Sequence, residues 1–158
     1  SKKCQIDYST TKIQLQEKLN SIGNKLLIET LPHYLLGKLE IKLQNSSKAT
    51  YASKINSSDT KINFFSSSLD VYNKIRAFSP KPGAWFILKN ERIKILTCSI
   101  ESKKGESSAI LSKDFTIGCN DQSIKPLIVQ REGKKSMSIE DFIKGFSFHV
   151  GEKVNLNA

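Results

Sequence analysis

The 158-residue sequence predicts a mainly β fold, a small five-stranded barrel with short helices, preceded by an amphipathic helix and a linker. Two observations carry this prediction. Short apolar segments alternate with polar or glycine-containing turns through the second half of the chain, which is typical of short strands. Apolar residues recur at helical spacing near the start, and a polar, lysine-containing stretch follows them. We therefore expect a helix within 1–37, a basic linker over 38–49 and the barrel over 50–158.

The first predicted helix begins near the start of the chain, where Ser9 or Thr10 can serve as its N-cap. Apolar residues recur along it at spacings of four, three and four: Leu15, Leu19, Ile22 and Leu26. Pro32 is expected to kink or end this helix, and Gly37 to mark its exit. The linker that follows carries three lysines: Lys38, Lys42 and Lys48. A helix of this kind needs a second element to cover its apolar stripe, and an uncovered stripe favours self-association.

A second helix is predicted to begin at Ser67, because Ser67 and Asp70 have the three-residue spacing of an N-terminal capping box. Apolar residues then fall on one face of this helix: Val71, Tyr72, Ile75 and Phe78. Pro80 disfavours the helical conformation of the residue before it, so the helix should end at about Phe78. Gly83 follows at a corner, where it can take dihedral angles that are closed to other residues.

Five strands are predicted after this corner, over 85–88, 93–97, 109–111, 115–118 and 124–130. A hairpin turn at 89–91 joins the first two, and Ile100 extends the second. Pro126 indicates an edge strand or a bulge. Ser138 and Asp141 repeat the capping spacing and predict a final short helix. Such strands and turns suit a closed or partly open barrel, and we expect the oligonucleotide-binding-like (OB-like) type.

The charge and cysteine content narrow the classes of partner and compartment. The formal net charge is +10, from 25 Lys and Arg against 15 Asp and Glu. This excess favours a polyanionic partner such as RNA, and a lysine-rich solvated surface explains it equally well. The longest apolar run, 84–88, is far too short to span a membrane. Three widely spaced cysteines, Cys4, Cys98 and Cys119, suit reduced thiols in a cytoplasmic protein.

The sequence offers no recognisable catalytic or metal-binding constellation. His33 and His149 are far apart, and neither has a nearby acid in a known motif. Glu140 and Asp141 are better explained as the negative first turn of a helix than as an acid–base pair. No cysteine or histidine spacing indicates zinc, and no phosphate-binding loop or nucleophile elbow occurs. Cys98 lies in a predicted strand and is expected in the core.

The corner after the second helix resembles a known family signature. Ile75-Arg76-Ala77-Phe78-Ser79-Pro80, followed by Pro82-Gly83-Ala84-Trp85, resembles the opening of the C-terminal domain in the methionyl-tRNA formyltransferase family. Three further stretches agree with that family in the same order: 14–30, Thr50-Tyr51-Ala52 with Lys54-Ile55, and Gly133-Lys134-Lys135-Ser136-Met137-Ser138. The sequence departs from the family at Lys81, where an aromatic residue is usual, and at Ile62-Asn63-Phe64, which stands in place of Ile-Asp-Trp.

The resemblance implies a division of labour between two domains. In this family an N-terminal domain holds the catalytic Asn, His and Asp and the folate donor, and none of its motifs occurs in this sequence. The parent enzyme would transfer a formyl group from 10-formyltetrahydrofolate to the amino group of methionyl initiator tRNA. Residues 1–37 would then carry the terminal helix of the catalytic domain, and 50–158 an OB-like tRNA-binding domain. We expect this chain alone to bind no cofactor and to be inactive, with initiator tRNA and the catalytic domain as its partners.

A domain that holds RNA needs Lys and Arg side chains placed to neutralise phosphates. Lys134 and Lys135 are the first candidates, because Gly133 beside them lets a backbone approach closely. The linker lysines come second, and the third group lies before or around the corner: Lys54, Arg76 and Lys81. Exposed aromatic residues are not evident, since Trp85, Phe86 and Phe115 are expected in the core. We therefore expect recognition of RNA backbone and shape rather than of bases.

Two other functions stay open on the sequence alone. The chain could be an accessory barrel domain of a related folate-dependent formyltransferase that acts on a non-tRNA substrate. It could also be a structural, oligomerising barrel, as the uncovered helical stripe suggests. The charge of +10 and the Gly133-Lys134-Lys135 element favour the tRNA-binding interpretation.

Overall fold

A computed structural model describes residues 1–155, and residues 156–158, which end the predicted 50–158 domain, lie outside the described residues. The chain divides into two compact units, Ser1–Ile55 and Asn56–Ala158. The first unit contains helix α1 (Lys12–Leu35) and a short 3-10 turn (Ser46–Lys48). The second unit begins with another 3-10 turn (Ser58–Thr60) and continues into two further helices and an antiparallel sheet.

Helix α1 begins at a complete capping box. The Thr11 side chain accepts a hydrogen bond from the Gln14 N–H, and Gln14 Oε1 accepts one from the Thr11 N–H at 2.9 Å. The predicted cap at Ser9 or Thr10 is therefore wrong by one or two residues. The reason is that Gln14 completes the box with Thr11, whereas the Thr10 hydroxyl donates to Asp7 Oδ1 at 2.6 Å.

The end of α1 matches the prediction only in part. Pro32 lies inside the helix, which continues to Leu35, and the Leu36 N–H still donates to the Pro32 carbonyl at 3.2 Å. Gly37 leaves the helix with a φ of +64°, as expected for the exit. No residue of α1 is buried, and within the predicted stripe Leu19 is 49% exposed. Packing within the first unit therefore leaves this helix largely uncovered.

Helix α2 (Ser68–Phe78) has the predicted start and end. Ser67 is its N-cap, with Oγ accepting from the Asp70 N–H at 3.1 Å. The Asp121 carboxylate adds a second cap, because Oδ1 accepts from the Ser68 N–H at 2.7 Å, and this bond lowers the pKa of Asp121. The predicted apolar face is confirmed, with two residues buried and two partly buried: Val71 and Ile75, then Tyr72 and Phe78.

The sheet contains five antiparallel strands and is not closed, which confirms the predicted fold class in its open form. The strands are β1 (Ala84–Leu88), β2 (Glu91–Glu101), β3 (Ile117–Gly118), β4 (Ser123–Arg131) and β5 (Ser136–Ser138). Their order is β1-β2-β4-β3, with β5 also paired to β4. Helix α3 (Ile139–Gly145) follows β5 and starts at the predicted cap, Ser138.

The strand prediction needs two corrections. Residues 109–111 form isolated bridges instead of a strand, because their hydrogen bonds go to separate segments: the Ile110 N–H donates to Glu152 O and the Leu111 N–H to Thr116 O. Strand β5 was not predicted, since three residues are too few for a periodic pattern. The bulge indicated by Pro126 is present, because Pro126 pairs with Cys98 where the β2–β4 register shifts.

The outer edge of β1 is covered by segments that are not strands. The Ile62 N–H donates to Trp85 O at 2.7 Å. Farther along, Ile87 and Asn155 exchange two hydrogen bonds, from the Ile87 N–H to Asn155 Oδ1 at 2.9 Å and from the Asn155 N–H to Ile87 O at 2.8 Å. The backbone groups of this edge are therefore bonded within the chain.

The core between the sheet and the helices α2 and α3 is organised around Phe115, whose side chain is fully buried. Its ring centroid lies 6.3 Å from that of Phe86, 5.3 Å from Phe142 and 4.8 Å from Phe148. Phe64 extends the cluster, at 5.9 Å from Phe86. The predicted burial of Trp85, Phe86 and Phe115 is confirmed. Aromatic contacts of this kind add to the stability gained from burial alone.

The Phe115→Ala substitution is expected to lower the free energy of unfolding of the second unit by about 3–5 kcal/mol, because it leaves a cavity at the centre of this cluster. Urea titration followed by the fluorescence of Trp85, the single tryptophan, measures the change. Phe65→Ala is the control, since Phe65 is 70% exposed and its loss should cost less than about 0.5 kcal/mol. Equal losses in the two variants would contradict this description of the core.

Candidate nucleic-acid interface

The turn between β4 and β5 presents the first two candidate lysines to solvent. Gly133 has a φ of +68°, and the Lys134 N–H donates to the Arg131 carbonyl at 3.1 Å, which closes the turn. The Gln130 side chain braces it by donating from Nε2 to the Lys134 carbonyl at 2.8 Å. Lys134 and Lys135 are both exposed. The turn is therefore fixed by its backbone, and the two ammonium groups remain available.

Strand β2 places two further cations on the outer face of the sheet, away from the core. Ile93 and Ile95 are fully buried, so the alternating residues Arg92 and Lys94 face outward. Lys94 pairs with Trp85 of β1 on one side and with Gln130 of β4 on the other. The Arg92 guanidinium lies 4.1 Å from the centroid of the Trp85 ring, a cation–π contact. Within residues 1–155, neither cation forms an ion pair.

Arg92 and Lys94 line a small cavity of about 140 Å³, which we call the basic cleft; its other walls are Gln130, Arg131, Glu132 and Gly133. Arg131 is already engaged, since its guanidinium donates to both carboxylate oxygens of Glu91 at 2.6 and 2.8 Å. This hydrogen bond holds the pKa of Glu91 below its usual range. The cleft therefore offers Arg92 and Lys94 to an anion, and Arg131 fixes its wall.

The corner before β1 lies against Lys94. A Cβ added at Gly83 would stand 2.8 Å from Lys94 Cδ, so the absence of a side chain lets the Lys94 stem pass beneath the corner. Gly83 also has a φ of +87°. Lys94 thus lies between the family-like corner and the Gly133 turn. Sequence reasoning missed Arg92 and Lys94, although the alternation from Glu91 to Ile95 indicated that both face outward.

The remaining candidates are not among the residues that line the basic cleft. Arg76 donates from Nε to Asn73 Oδ1 at 2.8 Å, and Lys81 is exposed in the corner. Four exposed candidates belong to the first unit: Lys38, Lys42, Lys48 and Lys54. Lys42 approaches Glu40 at 3.9 Å, but both side chains are more than 80% exposed, so the pair is weak. These six residues stay predictions as phosphate contacts.

Four exposed aromatic residues correct the expectation that none is available for stacking: Phe65 in the second unit, and Tyr8, Tyr34 and Tyr51 in the first. Phe65 is 70% exposed, while the adjacent Phe64 is buried. Phe65 lines a cavity of about 420 Å³ together with Lys61 and Lys74. The signal was present in the sequence, because neighbouring residues of an extended segment point in opposite directions and a Phe-Phe pair there cannot bury both rings on one side.

Nucleophilic or metal chemistry finds no support in the described residues. Burial raises the pKa of Cys98 and Cys119 to about 12, so both thiols stay protonated, and the expected core position of Cys98 is confirmed. His149 Nδ1 lies 3.1 Å from Glu152 Oε2, and both residues belong to the closing turn. Residues 1–155 contain no group of three His, Cys, Asp or Glu side chains placed to hold a metal ion. None of the helices in this range is long and apolar enough to cross a membrane.

A protein-family model matches most of the second unit. The formyl transferase C-terminal domain family matches residues 54–147. The methionyl-tRNA formyltransferase of Pelagibacter ubique (strain HTCC1062) is 36% identical over 141 residues, covering 89% of this chain and 46% of that protein. That of Streptococcus mutans serotype c is 35% identical over 143 residues, covering 89% and 45%. This chain therefore spans about half the length of the curated relatives it matches.

Solved structures of HypX from Aquifex aeolicus share the fold. HypX in complex with tetrahydrofolic acid aligns with a TM-score of 0.60 at 14% identity, over 81% of this chain and 26% of that protein. A structure of a HypX variant aligns with a TM-score of 0.61 at 16% identity, over 82% and 27%. At these identities the similarity shows the fold alone.

The three thiols are expected to differ in reactivity. Cys4 is partly exposed, and the two buried thiols are protonated near neutral pH, so a thiol reagent such as dithionitrobenzoate should modify one cysteine rapidly in the native chain. The other two should react only after denaturation, which absorbance of the released thiolate measures. Rapid modification of two or three thiols under native conditions would contradict the buried positions of Cys98 and Cys119.

Proposed function

Because this chain belongs to the formyl transferase C-terminal domain family, we propose that it is the tRNA-holding part of a methionyl-tRNA formyltransferase. The parent enzyme would transfer a formyl group from 10-formyltetrahydrofolate to the amino group of methionyl initiator tRNA, in cytoplasmic translation initiation. The catalytic residues and the folate site would lie in the N-terminal domain. This chain would supply affinity and position, and bind no folate itself.

The observation that carries the proposal is the basic cleft beside the Gly133 turn. Arg92 and Lys94 are held on β2 between β1 and β4, and within residues 1–155 neither forms a salt bridge, although Glu132 lines the same cleft. Lys134 and Lys135 extend the same positive region from the adjoining turn. Closely spaced cations of this kind release counterions from a nucleic acid when they meet its phosphates. Because phosphates carry no base identity, the cleft would fix the position of the tRNA rather than read its sequence.

The uncovered apolar stripe of α1 and the lysine-containing linker, both in the first unit, also support this proposal. Helix α1 would be the terminal helix of the catalytic domain, with that domain covering the stripe that α1 leaves uncovered. The stretch 38–49 would act as a basic linker, and Lys38, Lys42, Lys48 and Lys54 would follow the RNA backbone. Without the catalytic domain, the stripe offers a surface for self-association.

The cleft and the turn lysines are expected to contribute separate phosphate contacts. Titration of the chain with initiator tRNA at two salt concentrations gives the slope of log affinity against log salt. We expect this slope to become shallower by about 1 in Lys94→Gln and by about 1 to 2 in Lys134→Ala with Lys135→Ala. The weakening should differ little between tRNA sequences, since the contacts are to phosphates.

A matched control removes the same charge elsewhere. The control variant is Lys104→Ala with Lys113→Ala, because both lysines are exposed. The neighbouring Lys103 is not substituted, because its Nζ donates to the Leu111 carbonyl at 2.8 Å. An equal loss in this control would mean that net charge alone drives binding. No RNA binding by the wild-type chain would overturn the proposal and favour an accessory domain that serves a non-tRNA substrate.

Formyl transfer is expected to require the catalytic domain. The purified chain, incubated with 10-formyltetrahydrofolate and methionyl initiator tRNA, should yield no formylmethionyl-tRNA above the background, since the chain carries no recognisable catalytic group. Acid gel electrophoresis of the tRNA distinguishes formylated from unformylated forms. Formylation that persists through repeated purification would contradict this assignment of roles.

A further inference from the structure

We propose that Phe65 is a stacking platform for an unpaired base of the bound RNA, and that Lys61 holds a phosphate next to that base. The inference rests on the proposed function, because it assumes that RNA lies on this unit. It adds a base contact to a surface that otherwise offers only charge. Three features of the second unit support it: the position of Phe65, the lining of its cavity and the connection to the basic cleft.

Phe65 is held in the exposed position by its backbone. Its N–H donates to Asn63 Oδ1 at 3.1 Å, while Phe64 on one side is fully buried in the aromatic cluster. Two residues on, Ser67 caps α2, so both ends of this short segment are fixed. The Phe65 ring is therefore presented to solvent by a rigid segment. An ordered, exposed aromatic ring gives a base a surface for stacking at a small entropic cost.

The cavity beside Phe65 has the size and the polarity of a nucleotide site. Its volume is about 420 Å³, within the range of small-molecule sites. The rim is polar and positive, with Lys61, Lys74 and the exposed Ser58 and Asn63. Lys74 Nζ donates to the Asp59 and Lys61 carbonyls at 3.0 and 3.1 Å, so Lys74 shapes the rim. A base with its phosphate fits such a site better than an apolar protein segment does.

Lys61 connects this cavity to the basic cleft. Its Nζ lies 5.9 Å from the centroid of the Trp85 ring, and the Arg92 guanidinium lies over the same ring at 4.1 Å. Lys61 also forms a bridge with Trp85 through the backbone. Three cations therefore follow one another from the Gly133 turn to the Phe65 cavity: Lys94, Arg92 and Lys61. An RNA backbone that follows them would bring its next base to Phe65.

The test compares RNA strands that differ only in their bases. The wild-type chain and Phe65→Ala are titrated with a fluorescein-labelled oligouridylate of about a dozen nucleotides and with the same strand carrying abasic sites. We expect Phe65→Ala to weaken binding to the base-bearing strand about tenfold, and to the abasic strand less than about twofold. Phe65→Trp should keep the affinity, and its added indole fluorescence should be quenched by the base-bearing strand.

Leu69→Ala is the matched control, since Leu69 is 42% exposed on the neighbouring α2 and carries no aromatic ring. Equal losses on both strands, no loss in Phe65→Ala, or an equal loss in Leu69→Ala would overturn the inference. Self-association that both variants reduce in analytical ultracentrifugation, with RNA affinity unchanged, would assign the surface to a protein partner and also overturn it.

The outcome separates this inference from the proposed function. The proposed function holds if the wild-type chain binds tRNA and the Lys134→Ala, Lys135→Ala variant binds it more weakly. If Phe65→Ala then changes the affinity for the base-bearing and the abasic strand equally, the stacking platform alone fails. If the wild-type chain binds neither strand nor tRNA, both fail together.

Discussion

The position of Trp85 is the constraint on which both candidate contact regions depend. Its indole Nε1 donates to Thr60 Oγ1 at 3.0 Å and to the Ser57 carbonyl at 3.1 Å. These hydrogen bonds connect the 3-10 turn that precedes α2 (Ser58–Thr60) to β1. The face of its ring supports Arg92, and its backbone pairs with Lys94. A single buried aromatic residue thus sets the distance between the basic cleft and the Phe65 cavity. Its conformation is fixed by hydrogen bonds as well as by packing, so the cations it supports start from an ordered arrangement.

Charge count and charge availability differ in this chain. The net charge of +10 determines how strongly a polyanion is attracted, but it does not determine which part of the surface the polyanion contacts. Several cations are committed to internal ion pairs, namely Lys2 with Glu29, Lys125 with Asp114, Arg131 with Glu91 and Lys144 with Asp141. Arg92 and Lys94 differ because their cross-strand partners carry no charge: Ile87 for Arg92, and Trp85 and Gln130 for Lys94. The surface that can meet phosphates is therefore smaller and better defined than the composition suggests.

Sequence reasoning succeeded where a local rule decides the structure. Ser67 and Ser138 act as caps because a hydroxyl and a following N–H suffice, and the β1–β2 hairpin follows from its apolar strands and a turn in which Lys89 and Asn90 both have positive φ. Sequence reasoning failed where contacts with residues distant in the sequence determine the structure. The segment 109–111 is apolar because it is buried between two loops, and β5 is short and polar because β4 supplies its pairing. The exposure of Phe65 and the free charge of Lys94 depend on such distant neighbours as well, so the sequence alone could name the residue types but not the site.

The covered β1 edge has a consequence for contacts between copies of this chain. Open sheets usually present backbone donors and acceptors that recruit a strand from another molecule and start aggregation. Here Ile62 and Asn155 occupy the β1 edge. On the far side of β4, β3 and β5 pair at either end of the stretch around Pro126, which has no N–H to offer. The sheet can therefore stay open without its β1 edge or the stretch around Pro126 serving as a template for strand exchange. At these two places, association between copies is left to side-chain surfaces, which substitutions can change without altering the fold.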